Sequence, residues 1–381
     1  MAKQELFTGS HLAWLAADGT DSDVVLASRV CLSRNLHEVP FPNRADLVRL
    51  AETEGRIAAV LGDVEEALEE PFDRVELAKS TALEQNVLWE KHLVSRQLLK
   101  NPAHRSAYIS NDRSMSILVN GENHLRIQAM AAGFDLKAPY DRASRVDDVF
   151  EAKLDFAFDE KLGYLTSCPT DLGTGLRASV MLHLPGLVYT ENIGNILNIS
   201  PQIGLSMSAM YGEGAESAGN LFAVANKLSL GLTERELCDN LRISVGEIVE
   251  QERRARKALL LYEKDRIEDE VWRAYGVLHY ARALGDAETL AILSRVRLGV
   301  DLGFIEGLAS NVFGDILIAS RANYLCALAG NENMSKNEID RKRAEVVRRI
   351  LETAAGTVGN FPLHFTADPW GHGEGFFLRK R

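Results

Sequence analysis

Near residue 245 the sequence changes character, and that change limits the fold more than any single motif does. Over residues 245–283 the chain is long, charged and amphipathic, with Ile267, Val271, Ala274, Val277, Leu278 and Ala281 on one face. Apolar residues three and four apart line up on one side of a helix, so this spacing predicts helices that bury one stripe. Residues 287–329 continue in the same style, and the basic run over 341–349 sits on a last helix. Upstream the pattern is mixed. Val24-Val25-Leu26 reads as a buried strand leading into Ser28-Arg29, and Met115, Ile117 and Val119 alternate with polar residues. Leu125 and Ile127 alternate again after a polar bend, which marks two strands. Residues 47–61, 75–99, 144–160 and 215–228 carry helix-like spacing. A chain of 381 residues exceeds what one core usually supports. The expected organisation is therefore α/β followed by all-α, with a boundary near 250 and a loosely ordered tail beyond Gly356.

The formal net charge of −11 argues against wholesale binding of a nucleic acid backbone, so a polyanionic ligand would need its own cluster of arginine or lysine. Met1-Ala2-Lys3-Gln4-Glu5 lacks the basic stretch and apolar run of a signal peptide. The most apolar central stretch, 178–188, is interrupted by His183, Pro185 and Gly186 and is too short to span a bilayer. Cys31, Cys168, Cys238 and Cys326 are scattered and form no CxxC pair, which argues against a zinc site or a disulfide framework. A reducing cytoplasm is the expected location.

Three polar segments place glycine beside reactive groups. They are Asn120-Gly121-Glu122-Asn123-His124-Leu125-Arg126, Ser167-Cys168-Pro169-Thr170-Asp171-Leu172-Gly173-Thr174-Gly175-Leu176-Arg177, and Tyr211-Gly212-Glu213-Gly214. Glycine lets backbone approach a ligand, and a neighbouring carboxylate can orient or deprotonate it. On pattern alone, turns carrying solvated charges explain the same residues.

Taken together, the segments resemble the ATP:guanido phosphotransferase family, closest to its bacterial protein arginine kinase branch (McsB-type). Ser28-Arg29-Val30 followed by Leu32-Ser33-Arg34-Asn35 resembles the strand that opens that family's catalytic domain. Asn120 through Arg126 resembles its Asn-Glu-Glu-Asp-His-x-Arg motif, and Cys168 through Arg177 its active-site cysteine signature. Gly212-Glu213-Gly214 resembles the loop with the second catalytic glutamate. Arg297-Leu298-Gly299-Val300-Asp301-Leu302-Gly303 resembles part of the bacterial kinase's C-terminal domain, and the opening strand near residue 24 leaves no room for the N-terminal domain of metabolite kinases.

The resemblance implies an α+β fold, a guanido-kinase-like antiparallel sheet flanked by helices, followed by an all-helical C-terminal domain. It implies a phosphotransferase domain over 1–250, a helical dimerisation and regulatory domain over 251–355, and a tail over 356–381. The implied reaction moves the γ-phosphoryl group of ATP, with magnesium, to a guanidinium nitrogen of a protein arginine. Glu122, Glu213 and Cys168 match the guanidinium-side residues, with Cys168 present as a thiolate. Arg29, Arg126 and Arg177 match three of five phosphate-binding arginines, and His124 and Arg34 join the nucleotide group, Arg34 as a replacement cation. Asp340 and Arg343 match a phosphoarginine-binding Arg-Asp-x-x-Arg-Ala motif. No residue is assigned as a metal ligand. Implied partners are protein arginine substrates, a zinc-finger activator and a second copy of the chain; no nucleic acid or membrane is implied.

Departures fall on the phosphate side. Cys31 and Ser208 stand at two arginine positions, Gly121 and Asn123 at two acidic ones, Asp171 at an asparagine and Ile339 at the first arginine of the regulatory motif. Two lost charge-assisted hydrogen bonds would remove roughly 3–6 kcal/mol of nucleotide or transition-state binding. A catalytically inactive relative that binds arginine or phosphoarginine, or regulates an active kinase, is the alternative.

Overall fold

The computed structural model describes residues 2–213, 216–308 and 311–355, without the side chains of residues 2–4, 212, 213, 216 and 355. The tail expected beyond Gly356 lies outside the described residues.

The strands are β1 (Val25–Arg34), β2 (Phe72–Glu76), β3 (Ser106–Ser110), β4 (Met115–Val119), β5 (Leu125–Ala132), β6 (Phe158–Asp159), β7 (Gly163–Tyr164), β8 (Leu176–His183), β9 (Leu205–Ala209), β10 (Gly212–Glu213), β11 (Glu216–Ser217) and β12 (Leu221–Asn226). Eight of them form one sheet in the order β2-β3-β4-β5-β1-β8-β12-β9, while β6-β7 and β10-β11 are separate short hairpins. Every pairing in the large sheet is antiparallel. The expected α+β architecture is present. β1 matches the buried strand read at Val24-Val25-Leu26, and β4 and β5 match the two strands read from alternation.

The helices are α1 (Ala2–Thr8), α2 (Leu47–Ala58), α3 (Leu61–Leu68), α4 (Ala82–Glu90), α5 (Arg96–Leu99), α6 (Lys137–Glu151), α7 (Pro185–Tyr189), α8 (Ile193–Ile199), α9 (Glu234–Tyr262), α10 (Lys264–Tyr280), α11 (Asp286–Asp301), α12 (Asn311–Ala319), α13 (Ala322–Ala329) and α14 (Lys336–Ala355). Three expectations are corrected here. The 75–99 stretch is not one helix but the end of edge strand β2, then α4, whose start is fixed by a Thr81–Glu84 capping box, then α5. The helix expected over 144–160 ends at Glu151. Residues 221–226, read as helix, are strand β12, because the run Leu221-Phe222-Ala223-Val224-Ala225 pairs with β8 on one side and β9 on the other.

The sheet has a core on each face. Ile57, Val64, Phe150, Leu241 and Val245 of α2, α3, α6 and α9 pack on Val30, Leu32, Ile117, Ile127 and Val180. On the other face Leu118 and Met130 join Trp14 and residues of α4 and α10–α14, including Val271, Val296, Ile316 and Val347. The boundary expected at 250 falls inside α9. Ala255 belongs to the first core and Leu259, one turn later, to the second. Among the described residues, the helical region therefore closes the second face of the sheet and shares one core with it. Among the described residues no single helix is long and apolar enough to cross a membrane.

Candidate active site

Antiparallel register puts directly opposed residues on the same face of a sheet. Across β5, β1 and β8, Cys31 lies opposite Gln128 on one side and Arg177 on the other, Arg29 opposite Met130 and Ser179, and Ser33 opposite Arg126. Arg29, Arg126 and Arg177 thus stand on one face around Cys31. Arg29 Nε donates to Ser179 Oγ at 3.1 Å. Burial pulls its guanidinium below the usual value, Arg126 and Arg177 push the same way, and the Cys31 sulfur opposes. Arg126 Nη2 donates to Cys31 Sγ at 3.4 Å. Its guanidinium is held above the usual value, chiefly by Cys31, with Glu122 and Asp171 contributing and burial opposing. The nearest carboxylates are loosely placed, Glu122 at 4.0 Å from Arg126 and Asp171 at 3.8 Å from Arg177. Three guanidiniums with so little compensation favour an anion between them.

Glu122 and Cys168 face a cleft of about 750 Å³ beside this cluster. Glu122 sits in the β4–β5 loop, closed by a hydrogen bond from the Asn120 N–H to the His124 carbonyl at 2.9 Å. Asn120 adopts the left-handed conformation (φ 58°) that asparagine tolerates better than most residues. Cys168 precedes the short turn Pro169–Asp171, and its sulfur lies 2.9 Å from Thr170 Oγ1. The glycines after it are required sterically. A Cβ on Gly173 (φ 111°) would lie 2.8 Å from Leu230 Cα, and one on Gly175 (φ 68°) 2.5 Å from the Ser33 carbonyl oxygen.

A buried amide clamp ties the two loops together. Asn35 Nδ2 donates to Asn123 Oδ1 at 2.7 Å and to the Leu165 carbonyl at 2.9 Å, while the His124 N–H donates to Asn35 Oδ1 at 2.9 Å. The Ser167 N–H donates to the same Asn123 oxygen at 2.8 Å. Neither residue was assigned this role from sequence. The available signal is adjacency, since Asn35 follows Arg34 in the opening motif and Asn123 follows Glu122.

Comparisons with known proteins bear on what this arrangement does. Residues 52–255 match the family model "ATP:guanido phosphotransferase, C-terminal catalytic domain", and 264–360 match "Protein-arginine kinase McsB C-terminal domain". The protein-arginine kinase of Desulforamulus reducens is 42% identical over 93% of this chain and 99% of its own length. That of Halalkalibacterium halodurans is 41% identical over 92% and 98%. The chain belongs to the ATP:guanido phosphotransferase family. Among solved structures, the duplicated taurocyamine kinase of Schistosoma mansoni superposes with a TM-score of 0.56 at 25% identity, covering 66% of this chain and 37% of that one. A lombricine kinase shares the fold at a TM-score of 0.54, covering 63% and 69%.

For a guanido phosphotransferase the three-arginine face fits the phosphates of ATP, the family's phosphoryl donor. No group of three or more His, Cys, Asp or Glu suited to a metal occurs among the described residues. Magnesium would be held mainly by the nucleotide phosphates, as is usual for this ion, where it neutralises developing charge.

Three sequence assignments are revised by the geometry. Arg34 cannot replace a missing phosphate arginine. Side chains alternate along a strand, so Arg34 leaves β1 on the face opposite Arg29 and Cys31. It is 1% exposed, its Nε donates to Asp147 Oδ2 at 3.1 Å, and its guanidinium lies 3.6 Å from the Tyr164 ring centre. His124 is fully buried, with Nδ1 accepting from the Leu36 N–H at 3.0 Å and Nε2 donating to the Pro40 carbonyl at 3.0 Å. Burial pulls its pKa to about 4, so the ring is neutral and holds the β1–α2 loop rather than a phosphate. Arg343 is 2% exposed and donates to the Ser320 carbonyl at 2.7 Å and to the Leu284 carbonyl and Asp340 Oδ1 at 2.6 Å. The Asp340–Arg343 pair is a clamp within the helical region. The backbone of Glu213 lies on hairpin β10–β11, whereas its side chain lies outside the described residues.

Proposed function

We propose that this chain is a protein arginine kinase that transfers the γ-phosphoryl group of ATP to an arginine guanidinium of protein substrates. The observation that carries the reading is the position of Arg126, whose guanidinium approaches Glu122 at 4.0 Å at the acceptor cleft and Cys31 at 3.4 Å at the arginine cluster. One side chain joins the place where a guanidinium would react to the place where phosphates would lie.

A guanidinium is cationic and a poor nucleophile. Glu122 orients it and accepts the proton that leaves nitrogen as the new P–N bond forms, with Glu213, on hairpin β10–β11, in the matching family role. The bond from the γ-phosphorus to the bridging oxygen of the leaving ADP breaks, and Arg29, Arg126 and Arg177 offset the negative charge that develops there. Cys168, half exposed beside Thr170, lies against the guanidinium as a polarisable partner. The inactive reading draws on Cys31, Ser208, Gly121 and Asn123. Ser208 lies on β9, opposite Ala223, at the sheet's last strand, so its substitution leaves the three-arginine cluster intact.

The helical region's match to the kinase C-terminal domain model supports a regulatory and homodimerising role, with a zinc-finger activator and a cytoplasmic setting as the matching context. All four cysteines are free, in keeping with a reducing compartment. Incubation with ATP, magnesium and an arginine-rich protein should give an acid-labile phosphoramidate detectable by phosphorus NMR. Absence of that signal, with nucleotide bound, would remove the kinase reading in favour of a binding protein.

A further inference from the structure

The acceptor cleft is larger than the chemistry of one guanidinium requires. Its volume, about 750 Å³, lies within the range of roughly 300–1,000 Å³ that accommodates whole ligands. Two segments supply its walls. The β1–α2 connection and the first residue of α2 contribute Pro42, Ala45 and Leu47, and α5 with the stretch that follows it contributes Gln97, Lys100 and Asn101.

The walls differ in chemistry. Leu47 is 59% exposed, and beside it the half-buried Ala45 and the buried Pro42 continue an apolar wall. The other wall is polar and contains a cation. Arg105 also lines the cleft, but it is buried and its Nη1 donates to the Gln97 and Leu98 carbonyls at 2.7 and 3.2 Å. Lys100 is exposed, and no ion pair engages its ammonium among the described residues. The cleft floor carries Glu122, which matches a cationic acceptor, so the unpaired positive charge on the wall has a different object.

Both walls are fixed relative to Glu122 by one side chain. Asn120 Nδ2, fully buried two residues before Glu122, donates to the Leu50 carbonyl at 2.9 Å and to the His104 carbonyl at 2.7 Å. One carbonyl follows Leu47 and the other follows Lys100. A ligand that touches both walls is therefore held in register with the reacting carboxylate, which is the arrangement that gives selectivity through positioning.

We propose that Leu47 and Lys100 determine substrate specificity: the cleft selects an acceptor arginine flanked on one side by an apolar residue and on the other by an acidic one. The inference rests on the protein arginine kinase reading and deepens it by naming the class of acceptor sequence. Opposite charge at an exposed site and burial of one apolar side chain each contribute a modest free energy, so the expected selectivity is about three- to tenfold per flank.

The test uses the full chain and short peptides containing a single arginine. One has glycine on both sides, two place leucine and aspartate on opposite sides in either order, and one replaces aspartate by lysine. Transfer from ATP gives relative kcat/KM, and fluorescence anisotropy without nucleotide gives relative Kd. In the expected result one leucine–aspartate order exceeds the glycine peptide by about tenfold or more in both measurements. Lys100→Glu reverses the preference between the aspartate and lysine peptides, and Leu47→Ser removes the leucine preference alone. Equal treatment of all peptides, or an unchanged acidic preference in Lys100→Glu, would overturn the inference. Selective binding without any transfer would leave this cleft assignment standing while removing the kinase reading, so the two failures are distinguishable.

Discussion

The proposed acceptor half of the site and its proposed phosphate half use different supports. Glu122 and Cys168 sit on loops, and their positions depend on buried side-chain amides, Asn35 and Asn123 between the loops and Asn120 beneath them. Arg29, Arg126 and Arg177 stand on strand faces, where the ladder of β5, β1 and β8 fixes their Cα positions whatever the side chain. A loop residue held by specific hydrogen bonds tolerates little change around it, because a lost partner leaves a buried polar group unsatisfied. A strand-face residue can be exchanged with only the loss of its own contacts. This difference explains how Cys31 and Ser208 can occupy arginine positions without disturbing the sheet.

The comparison is broken or sharpened first at Glu122. Glu122→Gln keeps the loop geometry but removes the proposed proton acceptor, so transfer should fall by about 10²- to 10⁴-fold while nucleotide binding, followed by calorimetry, is maintained. Retention of more than a tenth of the rate would move the proton acceptor elsewhere.

Arg34 provides the next largest effect, and on stability rather than on phosphate binding. Arg34→Ala strands Asp147 in the core, which should cost about 3–5 kcal/mol in urea unfolding. Folded protein at low temperature should bind nucleotide as the unaltered chain does. Selective loss of nucleotide affinity would return Arg34 to the phosphate site.

Acid titration tests the loop support directly. His124 has a pKa of about 4 in the folded chain against an ordinary value near 6.5. Between those values the unfolded chain binds a proton on this ring and the folded chain does not, so stability should fall as pH drops from 6.5 to 4 and change no further below that. The full contribution is on the order of 3 kcal/mol, and His124→Gln should flatten that part of the stability profile.

The smallest effect separates the two substituted arginine positions. Ser208 is exposed on β9, and Ser208→Arg should tighten ATP binding by about tenfold, the worth of one charge-assisted hydrogen bond. Cys31 is 2% exposed and packed beside Arg126 and Gln128, so Cys31→Arg should lower the melting temperature instead. Tighter nucleotide binding in both variants would show that the cluster around Cys31 has more room than its packing indicates.

Much of this was legible in the sequence. The long helices after residue 245 and strands β4 and β5 follow from sustained periodicity, and β1 from the continuous apolar run Val24-Val25-Leu26. Residues 221–226 were misread because a short continuous apolar run is compatible with either a buried strand or a helix, and only pairing with β8 and β9 decides. The motifs single out Glu122, Cys168 and three arginines as candidates, but motif identity does not say which way a side chain points. For Arg34 a signal was present, since an odd offset of five from Arg29 along a strand places it on the other face. For His124 and Arg343 none was, because their partners Pro40, Leu284 and Ser320 are backbone carbonyls distant in sequence.

The most direct test of the central claim is γ-phosphoryl transfer from ATP–magnesium to an arginine-rich protein, measured beside calorimetric ATP binding in the same preparation. Weak but measurable binding, with acid-labile label that disappears in Glu122→Gln, is the predicted result. No label at millimolar nucleotide, in protein shown to bind ATP, would contradict the account.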